Sequence, residues 1–221
     1  MKVLITLGPT QEPLDSVRYI TNASSGRMGK CLAEEAIKRN FSTTIVSGPV
    51  NLNLPEKAKI FHVRTAEQMI RRTILELKKG YDILISAAAI GDFTPVKVKE
   101  GKIKSKKEIQ LTLKPTPKLT KIAKEKFPEI FVVGFKAEYK PSKQELIKKG
   151  FEKLISENLD LVIANDLSES IGSKSCEVYL IDKKEVEYLP LNAKEIIAKK
   201  IWDKVLDMLS KNESGKFRNI K

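Results

Sequence analysis

Five short apolar runs rich in β-branched residues, at 3–7, 42–47, 81–89, 130–135 and 159–164, alternate along the chain with longer stretches whose apolar positions recur every three or four residues. Continuous apolar runs of that length, bounded by Gly, Pro or Asn, predict buried strands. The longer stretches predict helices. In 26–40, Met28, Leu32, Ala33, Ala36 and Ile37 share one face while Lys30, Glu34, Glu35 and Lys38 lie elsewhere. Further helices are predicted over 65–79, opened by a Thr65-x-x-Gln68 capping box, and over 117–126, 142–157 and 192–209. Strand and helix in alternation predict an α/β, three-layer Rossmann-like fold whose mainly parallel sheet is covered on both faces. Near the end the period changes to two, at 176–182 and 185–189 across Lys183-Lys184, which predicts an antiparallel hairpin on the sheet edge. Residues 1–210 are thus expected to form one domain, followed by a flexible tail at 211–221 that lacks apolar periodicity.

Charge narrows the choice of partner. The 221 residues carry a formal net charge of +13 with 41% hydrophobic content, a globular chain expected to meet an anion. The excess is local: residues 97–149 hold 16 lysines, no arginine and 6 acids. Within them Lys97-x-Lys99-x-x-Lys102-x-Lys104-x-Lys106-Lys107 follows the strand that ends at Ala87-Ala88-Ala89-Ile90-Gly91-Asp92, and open α/β sheets bind ligands at the carboxyl ends of their strands. A lysine run is also the ordinary composition of a solvated loop. Cys31 and Cys176 lie too far apart for a metal-ligand motif, and His62 is the single histidine, so neither a held zinc site nor a catalytic triad is expected. No apolar window approaches a membrane span and the amino terminus does not read as a signal peptide, so a cytoplasmic location is expected.

The first strand-to-helix connection, residues 8–26, is long and lacks the G-x-G-x-x-G spacing of a dinucleotide loop. In its place Ser24-Ser25-Gly26 and Gly29 gather at a helix start, where free backbone N–H groups and the helix dipole favour an anion; plain N-capping by Ser24 or Ser25 is compatible with this. Asn22, just ahead, carries an amide able to donate to a carboxylate and accept from an amine. Magnesium needs few protein ligands and would arrive with nucleotide phosphates, Asp92 being a possible contact or a turn cap.

The run Gly8-Pro9-Thr10-x-Glu12-Pro13-x-Asp15-x-Val17-Arg18-x-Ile20-x-Asn22-x-Ser24-Ser25-Gly26-x-Met28-Gly29 resembles the signature of the phosphopantothenoylcysteine synthetases, the ligases of coenzyme A biosynthesis. Ser47-Gly48-Pro49-Val50, Ala87 to Asp92, Lys102-Ile103-Lys104, Thr116-Pro117, Val133 to Glu138 and Asn158 to Asp166 resemble later motifs of that family, in order, over about residues 2–205. The resemblance implies activation of the carboxylate of 4′-phosphopantothenate by CTP, with Mg²⁺, to an acyl-cytidylate and pyrophosphate, followed by attack of the amine of L-cysteine and release of CMP. It implies catalytic roles for Asn22, which would hold the substrate carboxylate, and Lys102, which would offset charge on the α-phosphate. Gly8, Ser24, Gly26 and Gly29 would cradle phosphate; Ser86, Ala87, Ala88 and Asp92 would contact nucleotide or substrate; Pro117, Lys118, Leu119, Thr120, Phe135 and Lys153 would line the nucleotide pocket. A homodimer, and association with a phosphopantothenoylcysteine decarboxylase, are implied as well.

The chain departs from the family pattern at Ser105, where a further lysine is common, and at Glu157, where a second cation is expected after Lys153. The second departure leaves CTP against ATP open. No flavin-dependent decarboxylase precedes Met1, so a free-standing ligase and a separately expressed half are both expectations. An NAD(P)-dependent oxidoreductase on the same fold, and a nucleic-acid-binding module prompted by the charge, are the competing readings. The first lacks the glycine fingerprint, and the second would need aromatics beside the lysines, where only Phe127, Phe131, Phe135 and Tyr139 occur.

Overall fold

A computed structural model describes residues 1–105, 108–170 and 172–218. Among them the chain runs β1 (Lys2–Leu7), β2 (Gln11–Pro13), β3 (Tyr19–Thr21), α1 (Arg27–Lys38), β4 (Ser42–Ser47), β5 (Lys59–His62), α2 (Ala66–Leu77), β6 (Ile83–Ser86), β7 (Phe93–Pro95), β8 (Leu113–Pro115), α3 (Leu119–Lys126), β9 (Phe131–Glu138), α4 (Lys143–Ser156), β10 (Leu161–Asp166), α5 (Leu167–Ser170), β11 (Ser175–Ile181), β12 (Val186–Ala193) and α6 (Lys194–Arg218). The central sheet of the described residues has eight strands in the order β12-β11-β10-β9-β6-β1-β4-β5. The neighbours β10, β9, β6, β1, β4 and β5 pair in parallel, and β11 and β12 add antiparallel at one edge. The three-layer α/β architecture and the antiparallel edge are those the periodicity predicts.

Alternation along the strands divides the core in two. Val3, Ile5 and Leu7 of β1 point to one face, with Leu32, Ala33 and Ala36 of α1 and Ile197, Ile201 and Trp202 of α6. Leu4 points to the other, with Met69 and Leu77 of α2, Ala123 of α3 and Leu146 and Leu154 of α4. Trp202, fully buried, packs tilted against Phe41 at 5.3 Å and donates its indole N–H to the Leu32 carbonyl at 2.9 Å, tying α6 to α1. The Thr65–Gln68 capping box forms on α2, and an unpredicted second one, Ser142–Glu145, opens α4.

Two boundaries differ from expectation, and two ribbons were not expected. The apolar run 81–89 leaves the sheet after Ser86, but its backbone stays extended, with Ala87 N–H bonded to Thr6 O (3.1 Å) and Ala89 N–H to Gly8 O (2.9 Å). Helix α6 continues beyond the predicted end at 209 as far as Arg218; residues 219–221 of the expected tail lie outside the described residues. Two short ribbons, β2–β3 and β7–β8, sit inside the long connections after β1 and β6.

The chain leaves β1 for β4 and β5 on one side and returns to β6 on the other. The crossovers through α1 and α2 therefore lie on opposite faces. A crevice opens between the carboxyl ends of β1 and β6, the switch point where open α/β sheets take ligands.

Candidate active site

At that crevice the backbone is packed too tightly for side chains. Gly8 and Gly26 both have φ near +75°, and a Cβ on Gly26 would lie 3.2 Å from the Gly8 Cα. A Cβ on Gly29 would meet the Leu7 Cβ at 2.4 Å, and one on Gly48 the Pro9 carbonyl oxygen at 1.9 Å. These glycines draw the start of α1 down onto the end of β1. Gly26 occupies the cap position of α1 in the left-handed conformation, which a glycine adopts without steric cost. The Ser24 and Ser25 hydroxyls accept from the N–H groups of Gly26 (3.3 Å) and Arg27 (3.4 Å), long contacts that replace a standard N-cap bond.

Above this floor lies a cavity of about 950 Å³. One wall is the segment from Asn22 to Gly29, another the segment from Ser86 to Asp92 after β6, and a third runs from Thr116 to Thr120 into α3. The carboxyl end of β9, from Phe135 to Glu138, the α4 side chains Lys149, Glu152 and Lys153, and Glu157, which caps the end of α4, close the far side. Asn165, Cys176, Val178 and Lys194 complete the lining at the β10–β11 end.

Four of the cations that line the cavity pair with carboxylates that also line it. Lys118 Nζ lies 2.5 Å from Asp92 Oδ1. Lys136 and Lys149 both reach Glu138, at 2.7 and 2.9 Å, and these hydrogen bonds hold the Glu138 carboxyl below its usual value. Lys153 Nζ is 2.7 Å from Glu157 Oε1, while the Thr120 hydroxyl donates to the other Glu157 oxygen. The Thr116 hydroxyl donates to Gly91 O and its N–H to Asp92 O (2.9 Å), bracing the turn that carries Asp92. Asn22 is exposed and makes only long contacts, its Nδ2 reaching Ala89 O at 3.4 Å and Ile90 O at 3.5 Å.

The cavity gathers Asn22, Ser24, Gly26, Gly29, Ser86, Ala87, Ala88, Asp92, Pro117, Lys118, Leu119, Thr120, Phe135 and Lys153, residues distant in sequence. Gly8 and Lys102 are not in its lining. Gly8 lies beneath it as a packing residue. Lys102 is exposed, on a strap between β7 and β8 held to the first connection by Asp15. The buried Asp15 carboxylate accepts from the N–H groups of Val17 (2.8 Å), Arg18 (2.7 Å) and Ile103 (3.0 Å) and from the Arg18 guanidinium (2.9 Å). These bonds, led by that from Ile103, bring its carboxyl down to about 2. Lys106 and Lys107 of the same segment lie outside the described residues. His62 is exposed on the edge strand β5 and does not line the cavity.

Sequence reasoning missed Arg27, Lys136, Lys149, Glu138, Asn165, Cys176 and Lys194 as lining residues. Lys136, Glu138 and Asn165 stand at carboxyl ends of parallel strands, a position that could have marked them. Arg27, Lys149, Cys176 and Lys194 carry no such mark. Both cysteines are buried, and desolvation pushes each thiol up to about 11. Among the described residues no helix is long and apolar enough to cross a membrane, and no cluster of three potential metal ligands occurs.

A family model described as the DNA/pantothenate metabolism flavoprotein C-terminal domain matches residues 1–209. The coenzyme A biosynthesis bifunctional protein CoaBC of Thermococcus kodakarensis is 40% identical over 209 residues, covering 94% of this chain and 51% of that protein. The chain thus spans about half the length of the curated relatives it matches. The solved structure of the DNA/pantothenate metabolism flavoprotein from Streptococcus pneumoniae superposes with a TM-score of 0.83 at 28% identity, covering 94% of this chain and 99% of that one. That of the C-terminal domain of CoaBC superposes with a TM-score of 0.80 at 30% identity, covering 95% and 96%.

Proposed function

The chain belongs to the family of the DNA/pantothenate metabolism flavoprotein C-terminal domain, and from that membership we propose that it is a ligase joining 4′-phosphopantothenate to L-cysteine at the expense of CTP. The observation that carries the reading is the convergence on one cavity of Asn22, the α1 start with Ser24 and Gly26, and the Ser86–Asp92 turn. Those are the segments that carry the family resemblance, and they meet at the switch point of the sheet.

In the proposed reaction the substrate carboxylate attacks the α-phosphorus of CTP and pyrophosphate leaves. The cysteine amine then attacks the acyl carbon and CMP leaves. The chain's own groups serve mainly to bind and orient. First-turn N–H groups of α1, beside Ser24 and Ser25, donate to phosphate oxygens. The Asn22 amide, free of strong internal bonds, turns toward the acyl group and holds it for the amine, a gain of the kind that fixed geometry supplies. Lys118, Thr120 and Phe135 line the nucleotide side. Magnesium carried by the triphosphate needs only one or two carboxylates, and Asp92, exposed in the cavity wall beside Lys118, fits that need; the ion would neutralise the charge on the leaving phosphates.

Lys102 belongs to this reading as the cation of the first half-reaction, brought over the cavity by movement of the strap or by a second copy. Homodimer formation and association with a phosphopantothenoylcysteine decarboxylase belong to it too. The test is pyrophosphate release from CTP and from ATP with 4′-phosphopantothenate, with and without cysteine. CTP-dependent release followed by cysteine-dependent product formation is the expected result; no release with either nucleotide overturns the reading. Lys102→Ala should slow release at unchanged nucleotide affinity.

A further inference from the structure

The two connections that meet at the switch point are joined by one buried side chain. The pairing of β1 with β6 continues past both strands: Ala87 N–H donates to Thr6 O (3.1 Å), Ala89 N–H to Gly8 O (2.9 Å) and Thr10 N–H to Ala89 O (3.3 Å). A parallel ladder with that spacing would next join Gly91 N–H to the Thr10 carbonyl. Here the Gly91 N–H donates instead to the Thr10 hydroxyl, at 2.9 Å, and the Thr10 carbonyl accepts from the Thr21 hydroxyl, at 2.7 Å. Thr10 is fully buried and does not line the cavity.

Because its side chain completes the rung, Thr10 holds two partners at once. Through Gly91 it holds the turn that presents Asp92, and the Thr116 hydroxyl grips the carbonyl of the same Gly91. Through Thr21, the last residue of β3, it holds the backbone that carries Asn22. The Thr10–Gln11 peptide is pinned on both sides, since its N–H donates to Arg64 O at 2.8 Å while its carbonyl is taken by Thr21. It is therefore not free to turn back and complete the rung itself. Neither Asn22 nor Asp92 lies in a strand of the central sheet, so the strand ladder alone does not set their separation. We infer that Thr10 is a positioning residue that fixes Asn22 against the Asp92 turn and so sets the spacing between the acyl side and the nucleotide side of the cavity. Only the identity of what Asn22 and Asp92 hold rests on the ligase reading.

Thr10→Val keeps the branched shape but leaves the Gly91 N–H without its acceptor, whereas Thr10→Ser keeps the acceptor. Hydrogen exchange at the Gly91 amide should quicken about tenfold or more in Thr10→Val and stay within about threefold in Thr10→Ser. A shift of about 1 Å in a positioned group can cost about a hundredfold in rate, so kcat for product formation should fall about tenfold or more in Thr10→Val, with KM for CTP within about twofold. Thr10→Ser should recover most of that kcat. A folded Thr10→Val with unchanged Gly91 exchange or unchanged kcat overturns the inference, as does a Thr10→Ser as slow as Thr10→Val. If Thr10→Val does not fold, Thr21→Val, at an exposed position, cuts the other link. It should show the same fall in kcat at constant KM for CTP, and an unchanged kcat there overturns the inference. Gly91 exchange needs no substrate: a release seen in Thr10→Val and not in Thr10→Ser, in a protein that forms no product with either nucleotide, would overturn the ligase reading and leave the lock standing.

Discussion

Glu157 lines the cavity at a position where the family resemblance implies a cation, and replacing it should convert a sequestered cation into a ligand. Its carboxylate holds Lys153 at 2.7 Å and accepts from the Thr120 hydroxyl, with side-chain exposures of 18% for Lys153 and 10% for Glu157. An exposed i,i+4 pair is worth about 0.3–0.5 kcal/mol, and breaking a fully buried one costs about 3–5 kcal/mol. At this intermediate exposure Glu157→Gln should cost about 1–2 kcal/mol of stability. For a chain of this size that lowers Tm by about 2–8 °C. The same substitution frees the Lys153 charge and removes a carboxylate that repels phosphate. If Lys153 faces the triphosphate, CTP should bind Glu157→Gln more tightly by a similar energy, about 5- to 30-fold. Calorimetric titration at low and high salt is the assay, and the gain should shrink as screening rises. A variant whose Tm falls as expected but which binds CTP no tighter would refute the placement of Lys153 at the triphosphate. Weaker binding would show that the Glu157 carboxylate itself accepts from the nucleotide.

Asn22→Asp should retain nucleotide binding and lose product formation by about a hundredfold or more, because a fixed negative charge repels the substrate carboxylate; full turnover in that variant excludes the assigned role. Gly29→Ala places a Cβ 2.4 Å from the Leu7 Cβ and should cost about 1–3 kcal/mol, read as a lower urea midpoint, unless the start of α1 shifts off β1 without penalty. Asp15 has its carboxyl lowered to about 2 in the folded chain, against about 3.9 for a free one, so its contribution is complete above pH of about 4 and is lost as pH falls through about 2. Hydrogen exchange at the Ile103 amide should accordingly stay protected at mildly acidic pH, and exposure of that amide near pH 4 would show that Asp15 does not hold the strap.

The parallel sheet is readable from the sequence because strands covered on both faces must be apolar throughout. The runs at β1, β4, β9 and β10 cannot satisfy another role, and the helices between them show one apolar face each. The ribbons β2–β3 and β7–β8 escape the same reading. Their three-residue strands include Pro13, Pro95 and Pro115 and are paired only by virtue of where the longer connections lie. At the site, the segments at strand carboxyl ends were legible, since backbone position there is set by the sheet. Gly8 illustrates the limit: its glycine signal is real, but the close approach of Gly26 and Gly48 that it permits is a tertiary contact with no local pattern. Arg27 and Lys194 show the complementary case. Each opens a helix, and what brings them together is the packing of α1 against α6 through Trp202 and Leu32, a tertiary fact with no local pattern.

The charge excess must also be read differently once the side chains are placed. Of the lysines in residues 97–149, Lys118, Lys136 and Lys149 line the cavity, and each stands within 2.9 Å of Asp92 or Glu138. A wall of paired charges is poorly suited to a bare polyanion, which would have to displace those carboxylates one by one. It is well suited to an anion that brings its own divalent cation, because a carboxylate released by its lysine gains the metal while the lysine gains a phosphate oxygen. The net charge of +13 therefore argues less for nucleic acid than its size suggests. Counterion release would give steep salt dependence to any ligand held by unpaired lysines. Exchange within preformed pairs instead predicts a shallow salt slope for magnesium-loaded CTP and a steeper one for single-stranded nucleic acid; equal slopes for the two would mean that the strap lysines, and not the cavity wall, carry the binding.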